Sequence, residues 1–140
     1  MYLLDTNVLS EVTRPRPNVA VVRRLFSTSP AALFASEMTR CELRYGAALH
    51  PESEAIWAKV VQAILPLPLW IPIDESTALA AGRLRAELRR AGKPIEVQDA
   101  FLAATAQTRD LVLVTRNVRH FENVRGLAVE NWFGESPGEP

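Results

Sequence analysis

Short apolar runs and longer stretches with helical spacing take turns along this chain. Tyr2-Leu3-Leu4 has the length of a buried strand rather than of a core helix. From Asn7 to about Arg14 the pattern predicts a brief helix, halted by Pro15 and Pro17. Asn18 is a favourable N-cap for a second short helix reaching Phe26. Residues 32–35 read as a second strand, and Ser36 opens a helix through the Thr39–Gly46 stretch. Another helix is expected from Pro51, a favoured first position, to about Leu65. Trp70-Ile71-Pro72-Ile73 is strand-like, but its proline cannot donate to a ladder, which places it near a sheet edge. Asp74 or Ser76 caps a helix that runs to Ala91 and stops at Gly92. Residues 96–109 form a further helix, Leu111–Thr115 a buried strand, and Leu127–Glu130 a last short one.

Strands alternating with helices predict the α/β class, here a three-layer α/β/α domain around a central, mostly parallel sheet. The pattern shows no repeat and no second domain. A single domain is expected over residues 1–133, followed by a Gly/Pro/Glu-rich tail, residues 134–140, expected to fray. In open parallel sheets ligands bind beyond the carboxyl ends of the strands. Asp5 follows the first strand directly, and Arg116 and Asn117 follow the Leu111–Thr115 strand.

Composition narrows the chemistry. Of 140 residues 48% are hydrophobic, enough for a core, and net charge is zero, so no global attraction to nucleic acid is expected. Yet 14 of the 16 basic residues are arginine, whose planar fork of donors suits phosphate; a GC-rich genome would give the same bias. The one cysteine, Cys41, excludes a disulfide framework or a Cys-based zinc site. It shares a helical stripe with Met38, Tyr45 and Ala48, and is expected in the core. There is no leader-like start and no apolar stretch near the roughly 18 residues of a membrane span. A soluble, cytoplasmic protein is expected.

Three carboxylates fit poorly into this scheme as ordinary structural groups. Asp5 ends the first strand and opens Asp5-Thr6-Asn7, where it can cap a helix. Glu42 lies mid-helix, where it could pair with a nearby arginine. Asp99 sits in the first turn of its helix, favourable for the dipole, but in line with Leu102, Ala103 and Ala106 on the apolar stripe. Carboxylates brought together repel, and one is driven to protonate unless a cation neutralises them. Hard divalent ions such as Mg²⁺ or Mn²⁺ suit an all-oxygen donor set. His50 precedes Pro51 and is expected at the surface; His120 suits either an RNA contact or packing beside Phe121, the second being the expectation. Trp57, Trp70 and Trp132 are expected in the core or at an interface.

The opening Leu-Asp-Thr-Asn, the Thr39-x-x-Glu42-Leu43-x-x-Gly46 segment, the Asp99-x-x-Leu-Ala-Ala-x-Ala segment, and Val114-Thr115-Arg116-Asn117 followed by His120-Phe121 resemble, in this order, the motifs of PIN domains. Within that fold the match is to VapC-type toxins of bacterial toxin–antitoxin pairs. The resemblance implies a Mg²⁺- or Mn²⁺-dependent endoribonuclease with catalytic Asp5, Glu42 and Asp99. Asp5 and Asp99 would be the metal ligands, and Glu42 would complete the pocket directly or through water. Family members commonly have a fourth acid where this chain has Asn117, which offers a carbonyl oxygen but no charge. Thr6, Asn7 and Thr115 would orient a ligand or water, and Arg116 and Arg119 would contact RNA phosphates. The implied partners are RNA, a cognate antitoxin and a second copy of the chain, in a homodimer within a toxin–antitoxin hetero-oligomer, with no membrane.

Two rival readings have sequence support. Asp5 at a strand end resembles the nucleophile of haloacid-dehalogenase-type phosphatases, but position 7 is Asn where that family has a second Asp. A catalytically inactive PIN-like module that only binds RNA or protein would explain Asn117. The Arg83, Arg85, Arg89, Arg90 and Lys93 cluster suits either an RNA contact or a solvated helix face.

Overall fold

The computed structural model describes residues 1–134. The tail expected to fray therefore lies, apart from Gly134, outside the described residues. Among the described residues there are five strands: β1 (Tyr2–Leu4), β2 (Leu33–Ser36), β3 (Leu69–Ile71), β4 (Val112–Val114) and β5 (Val129–Glu130). The helices are α1 (Thr6–Leu9), α2 (Val19–Ser27), α3 (Glu37–Leu49), α4 (Ser53–Ala63), α5 (Glu75–Arg90) and α6 (Val97–Thr108). The strands form one sheet in the order β3-β2-β1-β4-β5, with every pairing parallel. The chain first builds outward from β1 to β2 and β3, then returns to the other side of β1 with β4 and β5. Its topological switch point thus lies between β1 and β4.

Consecutive strand residues point to opposite faces, and this divides the core. Leu4, Ala35 and Val114 face a cluster that includes Val8, Val21, Leu43 and Ile64, drawn from the helices and loops of the chain's first half. Leu3, Leu113 and Ile71 face Leu88 of α5 and Leu102, Ala103 and Ala106 of α6. The result is the three-layer α/β/α arrangement. Alanines Ala81, Ala100 and Ala104 let α5 and α6 pack closely on one another.

Local chemistry sets the boundaries. Asn18 Oδ1 accepts from the Val21 amide at 3.1 Å, Ser36 Oγ from Met38 at 3.0 Å, and Asp74 Oδ1 from Thr77 at 2.9 Å, capping α2, α3 and α5. Of the two caps considered for α5, Asp74 is the one used. Its hydrogen bonds from Thr77 hold its carboxyl down at about 2. Gly92, at φ +74°, ends α5, and the Lys93 amide reaches back to the Leu88 carbonyl at 2.9 Å. The α6–β4 turn uses Asp110 at φ 53° in the same way.

Several expectations need correction. The helix expected over residues 7–14 is α1 followed by a 3-10 turn, Ser10–Thr13. Pro51 does not begin α4, which starts at Ser53; His50, exposed as expected, accepts from the Glu52 amide at 3.0 Å and holds the intervening turn. Cys41 is exposed, and Tyr45 is 67% exposed, because α3 buries Thr39, Leu43 and Ala47 instead. Two apolar stripes fit the spacing of α3, and the one facing the sheet contains a threonine. Trp132 is buried, whereas Trp57 and Trp70 pack only partly into the core. The proline-bearing strand is at the sheet edge as expected, with Pro72 just past its end.

Candidate active site

β1 ends at Leu4, and the next residue, Asp5, is carried to the carboxyl edge of the sheet beside the end of β4. Its amide donates to the Val114 carbonyl at 2.9 Å, tying the two strands together at the switch point. The Asp5 side chain is buried. Oδ1 accepts from the Thr6 amide at 2.7 Å, the capping role of a residue at this position. Oδ2 accepts from the Thr115 hydroxyl at 2.8 Å and from Asn7 Nδ2 at 3.3 Å. Asn7 Oδ1 in turn accepts from the Arg116 amide at 3.1 Å, and Thr115 Oγ1 accepts from the Asn117 amide at 3.0 Å. The residues following β1 and β4 therefore form one hydrogen-bonded unit.

α3 and α6 bring in the other two acids. Asp5, Glu42 and Asp99 line one cleft of about 370 Å³, together with Thr6, Asn7, Asn117, Glu96, Gln98 and His120. Glu42 has no arginine partner among the described residues. Arg40 is paired with Glu37 at 2.6 Å, and the Arg44 guanidinium lies 4.7 Å from the Trp57 ring centre. Asp99 Oδ2 is 3.1 Å from His120 Nδ1.

Electrostatics follow from the crowding. Burial pushes the Asp5 carboxyl above its ordinary value, and the hydrogen bonds from Thr115 and Thr6 offset part of the rise. Burial also raises Glu42, and the nearby Asp5 and Asp99 charges add to it, while the Thr6 hydroxyl opposes them. Asp99 is raised by burial and by Asp5, and lowered by His120. Three acids thus resist carrying their charges together, which a cation would relieve.

The residues present fit a hard divalent cation. The donors are all carboxylate, hydroxyl or amide oxygens apart from His120. The Thr6 hydroxyl is buried at the cleft and near enough to Glu42 to favour its charged form, which places it where an ion or its water would sit. Among the described residues no three His, Cys, Asp or Glu side chains are close enough to enclose an ion by themselves. An ion here would keep waters or take substrate oxygens to complete its shell, the usual habit of Mg²⁺.

Arg116 and Arg119 are exposed and line a neighbouring hollow of about 430 Å³ that also touches Asn117 and His120. The Arg116 guanidinium lies 4.8 Å from the Phe133 ring centre, which leaves its edges available to an anion. Three residues of the cleft were not among the site residues expected from the sequence. Glu96 and Gln98 flank the start of α6, beside Asp99, where the first turn of a helix faces the sheet edge. His120 does lie near Phe121, with ring centres 6.4 Å apart. The 3-10 turn Val118–Phe121, which buries Phe121, brings its imidazole back over Asp99.

Comparison with known proteins agrees with this fold. The model of the PIN domain matches residues 2–127. The tRNA(fMet)-specific endonuclease VapC of Shigella flexneri is 34% identical over 131 residues, covering 94% of this chain and 97% of the relative. Toxin FitB of Neisseria gonorrhoeae is 37% identical over 126 residues, covering 86% of this chain and 91% of that protein. Among solved structures, FitAcB from Neisseria gonorrhoeae superposes with a TM-score of 0.87 at 36% identity, covering 96% of this chain and all of that one. DNA-bound VapBC from Salmonella typhimurium gives 0.82 at 32%, covering 94% and 97%. With the family model matched over residues 2–127 and relatives this similar along most of their length, the chain belongs to the PIN domain family.

Proposed function

We propose that this chain is a divalent-metal-dependent endoribonuclease and the toxin of a toxin–antitoxin pair. The carrying observation is the convergence of Asp5, Glu42 and Asp99, from three separate elements, in one cleft at the sheet's switch point. Relatives named as endonuclease and toxin supply the substrate class.

Asp5 and Asp99 would hold Mg²⁺ or Mn²⁺. Such an ion supplies charge at a phosphate oxygen and lowers the pKa of the attacking water. Thr115, Asn7 and the Thr6 amide fix the Asp5 carboxylate so that its orientation is set before any ligand arrives. Glu42, the carboxylate raised by both neighbours, is suited to accept the proton that water loses as its oxygen bonds to phosphorus and a P–O ester bond breaks. Thr6 and Asn117 line the cleft where they can orient that water. Arg116 and Arg119 hold flanking phosphates and position the strand without reading its bases.

The solved relatives are FitAcB and a DNA-bound VapBC, and the sequence relatives include a protein named toxin FitB. These names support a cognate antitoxin as partner in a hetero-oligomer; the toxin homodimer within it is part of the proposal. No helix among the described residues is long and apolar enough to cross a membrane.

One observation favours a second reading, a module that binds RNA without cutting it: Asn117 is the polar group at the cleft where a further acid would strengthen metal binding. Purified chain incubated with RNA and Mn²⁺, against EDTA and Asp5→Asn controls, separates the two. Cleavage that needs both the ion and Asp5 supports the nuclease. RNA bound in all arms and cut in none supports the module.

A further inference from the structure

Gly82 sits in the middle of the 16-residue helix α5, exposed to solvent, and a Cβ placed on it would meet nothing within 4 Å. Alanine at such a position would strengthen the helix, so neither packing nor propensity within the described chain accounts for the glycine. A bare backbone on an open surface suits the close approach of a ligand.

The surroundings say which kind. Arg85 and Arg89 rise from the same face of α5, at the i+3 and i+7 spacing that puts side chains above one another. With Gly82 and Ala86 as floor, and Pro94 and Ile95 as the opposite wall, they line a groove of about 560 Å³ with no acidic residue in it. Among the described residues neither guanidinium is in an ion pair. Glu87, the acid of this helix segment, faces a different hollow together with Lys93. The chain passes directly from groove to acidic cleft: Ile95 lines the one and Glu96 the other, and consecutive Cα atoms are about 3.8 Å apart.

We propose that the Gly82–Arg85–Arg89 groove binds the phosphate backbone of the substrate RNA on one side of the scissile bond, the strand running from the acidic cleft across the Pro94–Glu96 loop onto α5. This deepens, and rests on, the ribonuclease reading above. A protein of zero net charge has no general attraction for a polyanion, so two unpaired guanidinium groups beside the cleft provide it locally. A second copy of the chain fits the groove less well. A two-fold contact needs a self-complementary patch, and the groove offers no acidic residue to pair with Arg85 or Arg89 of another copy.

The test uses the whole chain disarmed by Asp5→Asn. It is titrated with a fluorescein-labelled single-stranded RNA of mixed sequence and followed by anisotropy over a salt series. Arg85→Ala with Arg89→Ala should lower the slope of log affinity against log salt by about 1.4, two phosphates at about 0.7 each. Referred to about 1 M salt, that is about 25-fold weaker binding at about 0.1 M. Gly82→Glu, whose side chain extends into open space, should weaken binding while the melting curve stays cooperative. Arg83→Ala with Arg90→Ala removes the same charge from outside the groove and should leave the slope near that of the parent. The groove is overturned if the parent binds RNA and the Arg85/Arg89 pair changes nothing, a result that leaves the ribonuclease reading intact. It is equally overturned if the Arg83/Arg90 pair lowers the slope as much, or if Gly82→Glu changes the molar mass in light scattering, which would make the groove a contact between copies. A parent that binds no RNA at any salt overturns the ribonuclease reading, and the groove with it.

Discussion

The Thr115 hydroxyl donates to Asp5 Oδ2 at 2.8 Å, joining residues 110 apart in sequence across the junction of β1 and β4. The bond lowers the Asp5 carboxyl against the burial that raises it. It also fixes which oxygen lone pairs remain for a ligand. A threonine at the end of a strand is thus a positioning group for the carboxylate at the end of its neighbour.

Thr115→Val keeps the shape of this side chain and deletes the donor. Cation affinity and cleavage rate should each fall, by about 10–100-fold, while Thr115→Ser restores most of both. Isothermal titration with Mn²⁺ and an RNA cleavage assay read the two effects separately. Equal behaviour of the valine and serine variants would assign the threonine to packing alone.

Divalent ions should stabilise the protein, because binding relieves the repulsion among Asp5, Glu42 and Asp99. At about 100 times the dissociation constant the gain is about 2.7 kcal/mol. Thermal melts with and without Mn²⁺ should show the corresponding rise in Tm for the parent, and little of it for Asp99→Asn. A rise of the same size in both proteins would place the ion elsewhere.

In the metal-free protein the sign of the pH dependence is set by the raised carboxyls. Asp5, Asp99 and Glu42 hold protons in the folded state at pH values where the unfolded chain, near 3.8 for Asp and 4.5 for Glu, has lost them. Their contribution to stability is present below those ordinary values and is lost as pH rises through the folded ones. With EDTA present, Tm should therefore fall as pH increases above about 4, and Asp5→Asn should flatten the decline. Asp74 acts with the opposite sign, but its held-down carboxyl titrates near 2, below this window. A Tm that climbs steadily with pH in EDTA would contradict the assignment.

Asn117 lines the cleft, so Asn117→Asp adds a carboxylate to a site already rich in them. Mn²⁺ affinity should rise, and metal-free stability should drop through added repulsion. Titration calorimetry and a melt in EDTA measure the two. No change in either would place the position 117 side chain outside the reach of the ion.

Away from the site, Asp110 holds φ at 53° in the α6–β4 turn, where glycine has no steric cost. Asp110→Gly should stabilise the fold by up to about 1 kcal/mol, raising Tm by about 3 °C. Loss of stability would mean the carboxylate makes a contribution greater than the strain it carries.

Much of this was legible in the residues. Leu3 and Leu4 announce a strand buried on both faces, Asn18, Ser36 and Asp74 announce helix starts, and the proline at position 72 announces a sheet edge. Asp99 was informative because an acid on an apolar stripe needs a reason. Cys41 misled because sequence spacing gives the stripes of a helix but not which one meets the sheet; a threonine, Thr39, was on the buried side. The place of His120 in the cleft was hidden for a different cause. Its position depends on a short 3-10 turn anchored by Phe121, and turns of that kind leave no periodic trace. The groove beside α5 depends on tertiary packing, since nothing in sequence says that Arg85 and Arg89 face Pro94 and Ile95.

The sheet order has a consequence for synthesis. A chain emerging from the ribosome presents Asp5 and Glu42 early, with the helices that pack against one face of β1. The strand that flanks β1 on its other side, and the threonine that steadies Asp5, come only after residue 111. Asp99 arrives on the helix immediately before it. The two halves of the acidic cleft are thus separated in time as well as in sequence, and a nascent chain carries an incomplete centre until most of its length has been made.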